Sequence, residues 1–178
     1  MNGLSASTPV LSPPQAERQA FLDAMSQVGF SVTIVATDGV AGRDGMAVSS
    51  MSSVSADGPK PTLLICLNER SRVTPKLLAN AQFSVNLLAN GDEPIADLFA
   101  GRCGGVAETW FDRERWTPGA ALDVPVLAPT LASFECSVLQ THFIGTHHLV
   151  VGAVEAVHAS LFGAPLLHAQ RRYQSLAS

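Results

Sequence analysis

The chain has little of what marks several large classes of protein. Only 15% of its 178 residues are charged, and 11 basic against 15 acidic residues give a net charge of -4 with no basic run. Because nucleic-acid-binding proteins carry a basic footprint, this pattern argues against a nucleic-acid partner. No uninterrupted apolar run approaches the roughly 20 residues of a membrane-spanning helix, so no membrane partner is predicted either.

Cysteine is also scarce. The three cysteines form no CxxC pair, and their number is odd. Cys66 and Cys136 lie in apolar, strand-like runs, where a free thiol behaves as a small hydrophobic residue. This usage predicts a reducing, cytoplasmic location and no structural zinc. The sequence also lacks HExxH and any His/Asp/Glu cluster, so no metal site is predicted.

Length and composition predict one folded domain with a short tail. Hydrophobic residues make up 47% of the sequence, which argues against disorder. We expect residues 1–13, "MNGLSASTPVLSP", to form a flexible Ser/Pro tail, because they lack the basic segment and apolar run of a secretory signal. Residues 14–178 are then expected to form a single domain.

Short strands outnumber helices in the predicted secondary structure. Helical spacing and end signals predict helices over residues 13–28, 71–81 and 92–101. Apolar and β-branched runs bounded by turn residues predict strands over residues 30–37, 46–55, 62–67, 82–89, 131–145, 147–159 and 164–176. The run "TLLICL" predicts a strand buried on both faces. Such elements favour a mainly β fold, a small barrel with helices packed outside it.

Residues 101–125, "GRCGGVAETWFDRERWTPGAALDVP", form an irregular segment rich in glycine and aromatic residues. A structureless connection of this length is uncommon inside a compact domain. The segment is therefore a candidate functional loop.

The run "GMAVSSMSSVS", Gly45–Ser55, places five serines among small and apolar residues. Ser49–Ser50 and Ser52–Ser53 are adjacent pairs, so some hydroxyls must point inward, where an unpaired hydroxyl costs about 1–3 kcal/mol. Small side chains also let a ligand lie close to the backbone. The residues alone leave two interpretations open: a structural strand, or a surface for a flat polar ligand.

Two further segments carry polar groups at positions where a ligand could bind. In "CLNERSRVTPK" a buried strand runs into a helix with Ser71 as a candidate N-cap, and cations near a helix start suit a phosphate. An ordinary solvated turn explains the same residues. No GxxxxGK[ST] motif is present, and no GxGxxG follows a strand. In "IGTHHLVV", His147 and His148 point to opposite faces of a strand, so one could face a ligand.

The C-terminal "RRYQ" places Arg171, Arg172 and Tyr173 together. This group could close over an anionic ligand or form a solubilising tail. Its residues alone do not separate the two.

These segments occur in an order that resembles one family. The run from "FLDAMSQVGF" to "SSMSSVS", followed by "PTLLICLN", "FSVNLL", "EPIADLFAG", "RW", "LASFECSV", "IGTHHLVV" and "RRY", is similar to the flavin reductase-like family of FMN-binding split barrels. The resemblance extends over residues 15–173 and is strongest to reductase components of two-component flavin monooxygenases. The ordered set carries the resemblance, since no single motif is specific to the family.

The resemblance implies a closed six-stranded Greek-key split β-barrel. It implies an NAD(P)H-dependent flavin reductase that transfers hydride from NADH to FMN, with FAD and NADPH as the other ligands. It further implies a homodimer that passes reduced flavin to a separate monooxygenase. Two other functions stay open: an FMN-binding electron-transfer protein that uses no pyridine nucleotide, and a ligand-binding barrel that has lost flavin.

The resemblance also implies which residues form the site. The expected flavin-binding residues are Met46, Ala47, Val48, Ser49, Ser50, Ser53, Cys66, Leu67 and Asn68, with Ser71, Arg72 and Val73 toward the ribityl phosphate. The resemblance assigns His147 to catalysis, and His147, Arg171 and Tyr173 to the nicotinamide. Glu69 stands where the family often has Arg, and His168–Ala169 stand where it often has aromatic residues. These departures predict a rearranged phosphate contact and an altered nicotinamide side.

Overall fold

The structure, a computed structural model, describes residues 13–104, 107–111, 115–160 and 163–176. Of the predicted tail, residues 1–12 lie outside the described part. The helices are α1 (Gln15–Met25), α2 (Val73–Asn80), α3 (Glu93–Phe99) and a short 3-10 helix (Ala107–Phe111). None of the helices in these ranges is long and apolar enough to cross a membrane.

Twelve strands accompany these helices in the described ranges. They are β1 (Phe30–Ser31), β2 (Thr33–Thr37), β3 (Asp44–Val48), β4 (Ser52–Ser55), β5 (Thr62–Asn68), β6 (Gln82–Leu87), β7 (Trp116–Pro118), β8 (Pro125–Leu127), β9 (Ala132–Ile144), β10 (His147–Ala159), β11 (Leu167–Ala169) and β12 (Arg172–Gln174). Seven form an antiparallel sheet in the order β3-β2-β6-β9-β10-β5-β4. Smaller sheets join β1-β11-β12 and β7-β8.

The prediction of a mainly β fold with three helices is confirmed, and three local expectations are revised. Residues 46–55 form two strands, because the chain turns a corner between β3 and β4. The last predicted strand is the β11-β12 hairpin. The predicted two-sided burial of "TLLICL" is wrong: in β5, buried residues alternate with half-buried ones, because only one face of the strand is fully covered. The irregular segment contains the 3-10 helix and strands β7 and β8.

Strand β2 is buried at every residue and therefore on both faces. Its Val35 packs in one apolar cluster with Leu77 of α2, whereas Ile34 and Ala36 pack in a second cluster with Phe99 of α3. Neighbouring residues of a strand point to opposite faces, so β2 needs a cover on each side. Helices α2 and α3 provide those covers, and both also contact β3 beside it.

The seven-stranded sheet has two edges, β3 and β4, and the pairings of the described residues do not join them. At the corner between these strands, the Ser50 hydroxyl donates to the carbonyl oxygen of Cys66 and accepts from the Cys66 N–H, each at 3.0 Å. A side chain thus satisfies backbone groups of β5 that a neighbouring strand would otherwise satisfy. This confirms that one serine hydroxyl of the segment points inward.

A buried carboxylate fixes the loop between β7 and β8. Glu135 of β9 accepts hydrogen bonds from the N–H groups of Ala120, Ala121 and Leu122 at 2.7–2.9 Å and contacts the His158 ring at 2.7 Å. Burial raises the pKa of Glu135, but the His158 ring and the backbone donors together outweigh burial and hold this pKa below its ordinary value. Strands β7 and β8, whose connecting loop Glu135 fixes, in turn hold the Trp116 ring against Phe99 of α3.

Candidate functional site

Two openings lie beside the edge strand β3. The larger, called here the groove, has a volume of about 350 Å³. It is lined by β3, the start of α2, the end of α3 and the 3-10 helix, through Gly45, Met46, Ser71, Arg72, Val73, Phe99, Ala100, Gly101, Gly104 and Trp110. Four of the predicted flavin-binding residues meet here: Met46, Ser71, Arg72 and Val73.

The smaller opening, called here the side opening, has a volume of about 160 Å³. Its walls are Val32, Ala47, Val48, Ser49, Ala100, Arg102, His168 and Tyr173. The two openings share Ala100, so they adjoin along β3. A separate cavity of about 370 Å³ beside Arg115 is lined by none of the predicted site residues.

The groove offers a cation, Arg72, and a hydroxyl donor, Ser71. The Arg72 guanidinium lies over the Trp110 ring, 4.6 Å from its centroid, and is half exposed. The Ser71 hydroxyl accepts from the Val73 N–H at 3.2 Å and has only the weak acceptor Met46 Sδ, at 3.3 Å, for its own proton. The buried Trp110 Nε1 has no acceptor among the described residues. An unpaired buried donor costs about 1–3 kcal/mol, and this nitrogen has almost no exposed surface through which a ligand in the groove would reach it.

Gly45 lets the aromatic wall of the groove approach the backbone of β3. A Cβ at this position would lie 2.8 Å from Phe99 Cε1 and 3.0 Å from Phe111 Cζ. Contacts this short do not occur between packed atoms, so a larger residue would displace the aromatic rings. The glycine is therefore required by packing as well as by the space beside the strand.

The serines divide between structure and surface. The hydroxyls of Ser52 and Ser55 bond to backbone within their own strand and turn, and Ser50 bonds to Cys66. Ser49 is exposed and lines the side opening. Ser53 is exposed and lines neither opening.

The end of β5 shapes the turn that presents Arg72. Asn68 Oδ1 accepts from the Arg70 N–H at 2.9 Å, and the Asn68 carbonyl accepts from the Thr74 hydroxyl at 2.7 Å. The side chains of Glu69 and Arg70 are exposed outside the groove. The cation that lines the groove is thus Arg72.

None of the three residues predicted on β5, Cys66, Leu67 and Asn68, lines either opening. Leu67 is fully buried in the core, which leaves only its backbone for a ligand. Cys66 is half-buried and bonds to Ser50 through its backbone.

His147 lies at the start of β10, directly across from Asn68 in the sheet. Its Nδ1 is 3.0 Å from the Thr146 hydroxyl, and it lines neither opening. The neighbouring His148 packs its ring on Phe143, with centroids 4.9 Å apart.

The three predicted nicotinamide residues are not brought together within one chain. Tyr173 lines the side opening, where its hydroxyl donates to Asp97 Oδ1 at 2.7 Å. Arg102 donates to the same carboxylate at 2.6 Å and to the Tyr173 oxygen at 3.1 Å. Arg171 instead pairs with Asp23 on α1.

Sequence reasoning missed Asp44 and Arg102 as parts of this region. Asp44 precedes the serine-rich run and reads there as a turn residue, and Arg102 reads as part of a glycine-rich loop. Their place beside the site is evident only from their contacts in the structure: Asp44 contacts Arg72, and Arg102 contacts Tyr173. Trp110 gave a weaker signal, as one aromatic residue in an irregular segment.

Comparison with known proteins gives a consistent result. The family description "Flavin reductase like domain" matches residues 25–177. The FMN reductase (NADH) RutF of Escherichia coli is 39% identical over 160 residues, which cover 90% of this chain and 94% of RutF.

Solved structures agree with the family match. BorF, the flavin reductase component of a bacterial two-component tryptophan halogenase, superposes with a TM-score of 0.83 at 27% identity, covering 90% of this chain and 99% of BorF. The NADH:FAD oxidoreductase SgcE6 of Streptomyces globisporus, in complex with NAD and FAD fragments, gives a TM-score of 0.82 at 25% identity. That match covers 94% of this chain and 97% of SgcE6.

Tyr173 is the only tyrosine of the sequence, so its titration can be followed directly. Burial and the hydrogen bond to Asp97 raise the pKa of Tyr173 to about 12, although Arg102 opposes them. We expect the phenolate absorbance of the folded protein to rise with a midpoint near this value, rather than near the ordinary value of about 10. Asp97→Asn should lower the midpoint, and Asp38→Asn, which removes a carboxylate elsewhere, should not.

Because folding raises this pKa, the stabilising contribution is complete below about pH 10 and is lost as the pH rises toward the folded value. Circular dichroism at each pH separates titration from unfolding. A midpoint near 10 while the spectrum stays native would contradict the role given to Asp97.

Proposed function

The chain belongs to the flavin reductase-like family, and from this premise we propose that it is an NAD(P)H-dependent flavin reductase. It transfers hydride from NADH to FMN and releases the reduced flavin to a separate monooxygenase; FAD and NADPH are the other ligands of the proposal. The observation that carries it is the groove, which places the Arg72 cation and the Ser71 hydroxyl beside an edge strand of small residues. The relatives support the same chemistry through the activities that their names state.

The residues of the groove fit a flavin with an anionic end. A phosphate favours a guanidinium and charge-assisted hydrogen bonds from hydroxyl donors, which Arg72 and Ser71 offer. An edge strand also leaves alternate backbone N–H and C=O groups without a strand partner, and β3 is such a strand. These free groups suit the polar rim of a flat ring lying against small side chains.

We assign roles to the chain's residues on this basis. Ser71, Arg72 and Val73 hold the phosphate end, while Met46, Ala47, Val48 and Ser49 lie along the ring. Bound flavin supplies the hydride acceptor, and the protein supplies orientation and electrostatics.

The remaining predicted residues have roles outside the direct contacts with the flavin phosphate and ring. Ser50, Cys66, Leu67 and Asn68 support the ring-binding strand from β5, and Ser53 lies farther along the same surface. We also assign His147, Arg171 and Tyr173 to the nicotinamide, which one chain by itself does not bring together.

The finer description of the fold belongs to the same proposal. We propose that residues 14–178 form one domain, a closed six-stranded Greek-key split barrel, and that residues 1–13 are a tail before it. The short corner between the two edge strands β3 and β4 supports closure. We place the protein in the cytoplasm on the basis of its unpaired cysteines.

Anaerobic reduction of flavin tests the proposed function. Purified protein is mixed with excess FMN and NADH without oxygen, and flavin absorbance is followed near its visible maximum. We expect catalytic bleaching of all the flavin, because a reductase that releases its product turns over many times. Flavin that binds but is not bleached by NADH indicates the electron-transfer function instead. Failure to bind flavin indicates a barrel that has lost it.

Replacing His147 tests its assignment to the nicotinamide. Positioning effects on a hydride donor reach about 100-fold, so His147→Ala should lower kcat/KM for NADH by about that factor. His148→Ala is the matched control, since it removes the neighbouring ring, which packs on Phe143. Equal losses in both variants, or none in His147→Ala, would show that His147 has no specific role.

We also propose a homodimer. Six consecutive residues of β9, 139–144, are exposed, although a strand inside a folded sheet buries at least one face. Phe143 is 49% exposed and Ile144 62% exposed. Adjoining apolar residues such as these mark an interaction surface, and a second copy is the occupant that we propose.

Light scattering in solution tests this dimer. The unmodified chain should have twice the mass of one chain, and Phe143→Glu should have the mass of a monomer, because the interface would have to bury the added charge. Val40→Glu, which adds the same charge at a position 95% exposed in the turn after β2, should stay dimeric. A monomeric unmodified chain, or a dimeric Phe143→Glu, argues against this surface.

A further inference from the structure

A fully buried carboxylate lies directly behind the groove. Asp44, the first residue of β3, has no exposed side-chain surface, and its Oδ1 accepts from the Gly45 N–H at 2.8 Å. Isolated buried carboxylates are strongly disfavoured unless cations and hydrogen bonds compensate them. The surroundings of Asp44 therefore have to supply compensation.

Two cations provide this compensation: Arg72, directly before α2, and Lys76, within α2. Arg72 Nη2 lies 3.3 Å from Asp44 Oδ1, and Lys76 Nζ lies 3.1 Å from Oδ2. The Lys76 contact is an ion pair outside hydrogen-bond geometry, since Oδ2 has no hydrogen-bond donor among the described residues. One negative charge thus faces two positive charges, which leaves a single excess positive charge at this end of the groove.

Asp44 and Trp110 hold Arg72 from two sides. The carboxylate contacts one edge of the guanidinium, and the indole lies under its face at 4.6 Å. A free arginine side chain samples many rotamers, and a ligand that binds it must pay for fixing one of them. An arginine that is already fixed avoids that loss, so its hydrogen bonds to an anion contribute more to affinity.

We propose that Asp44 is a positioning residue, which fixes Arg72 in the groove and thereby sets the preference of the site for a phosphorylated flavin. This rests on the proposed function, in that it takes the groove as the place where the phosphate end of a flavin binds. Asp44 does not touch the ligand; it acts through Arg72. The assignment differs from simple charge balance, in which Asp44 only weakens the attraction of the groove for anions.

The two roles predict opposite signs. If Asp44 positions Arg72, its neutral isostere loosens the guanidinium, and FMN binds more weakly. If Asp44 only offsets positive charge, the same substitution raises the positive charge of the groove, and FMN binds more tightly. Riboflavin, which lacks the phosphate, is the probe that reports on the ring contacts alone.

Asp44→Asn keeps the size of the side chain and an acceptor for the Gly45 N–H. Dissociation constants for FMN and riboflavin are measured by fluorescence quenching without NADH. We expect the FMN constant to rise about five- to tenfold, a loss typical of a weakened charge-assisted contact, and the riboflavin constant to change far less. Glu155→Gln, which breaks the ion pair with Lys60 outside both openings, is the control for loss of one carboxylate.

A double-mutant cycle with Arg72→Gln completes the test. When Arg72 is already replaced, Asp44→Asn should cause no further loss of FMN affinity, because its effect passes through that arginine. Tighter FMN binding, an equal loss for riboflavin, or additive losses in the cycle would each overturn the proposal. If Asp44→Asn does not fold, Arg72→Lys is measured instead, since it keeps the positive charge and loses the planar guanidinium. We then expect the preference for FMN over riboflavin to fall. An unchanged preference overturns the proposal.

This test is independent of turnover. Absence of NADH-dependent bleaching would reject the reductase function and leave the binding comparison readable. Normal bleaching with an unchanged preference in Asp44→Asn would reject only the role of Asp44.

Discussion

The two-sided burial of β2 is the constraint on which the rest of the molecule depends. A strand with Val35 on one face and Ile34 on the other leaves no face for water, so each side requires an apolar cover. Helix α2 covers one side, and α3 with its aromatic neighbours covers the other. Both helices reach past β2 to the edge strand β3, and the groove is the space that remains between them.

The same arrangement explains why polar groups meet at an apolar boundary. The start of α2 carries Ser71 and Arg72, and the residues after α3 lead to Trp110, so a cation and an aromatic face converge over β3. Gly45 permits this approach because the rings of Phe99 and Phe111 occupy the space that a side chain would need. The buried carboxylate of Asp44 contacts Arg72 and Lys76. Two successive residues of β3 thus determine the charge and the packing of this region: Asp44 the charge, and Gly45 the packing.

The pattern of the serine-rich run predicts that some hydroxyls point inward but not which ones. Adjacent serine pairs required some hydroxyls to point inward, and Ser50 meets that requirement by bonding to the backbone of Cys66. Which serine turns inward could not be predicted, because it depends on a corner between strands that no local periodicity records. The cysteine of β5 that accepts this bond lies 16 residues farther along the chain.

The sequence by itself determined the helices, most of the strands, the family and the set of small and polar residues beside β3, because periodicity, turn residues and motif order are local properties. It also predicted a phosphate contact near the start of α2, where cations lie, and this contact stays a prediction. Tertiary structure alone decided that Leu67 belongs to the core, that Asp44 is buried, and that Arg102 lies against Tyr173. Those outcomes depend on which faces α2 and α3 cover, and a contact between distant segments leaves no periodic trace in the sequence.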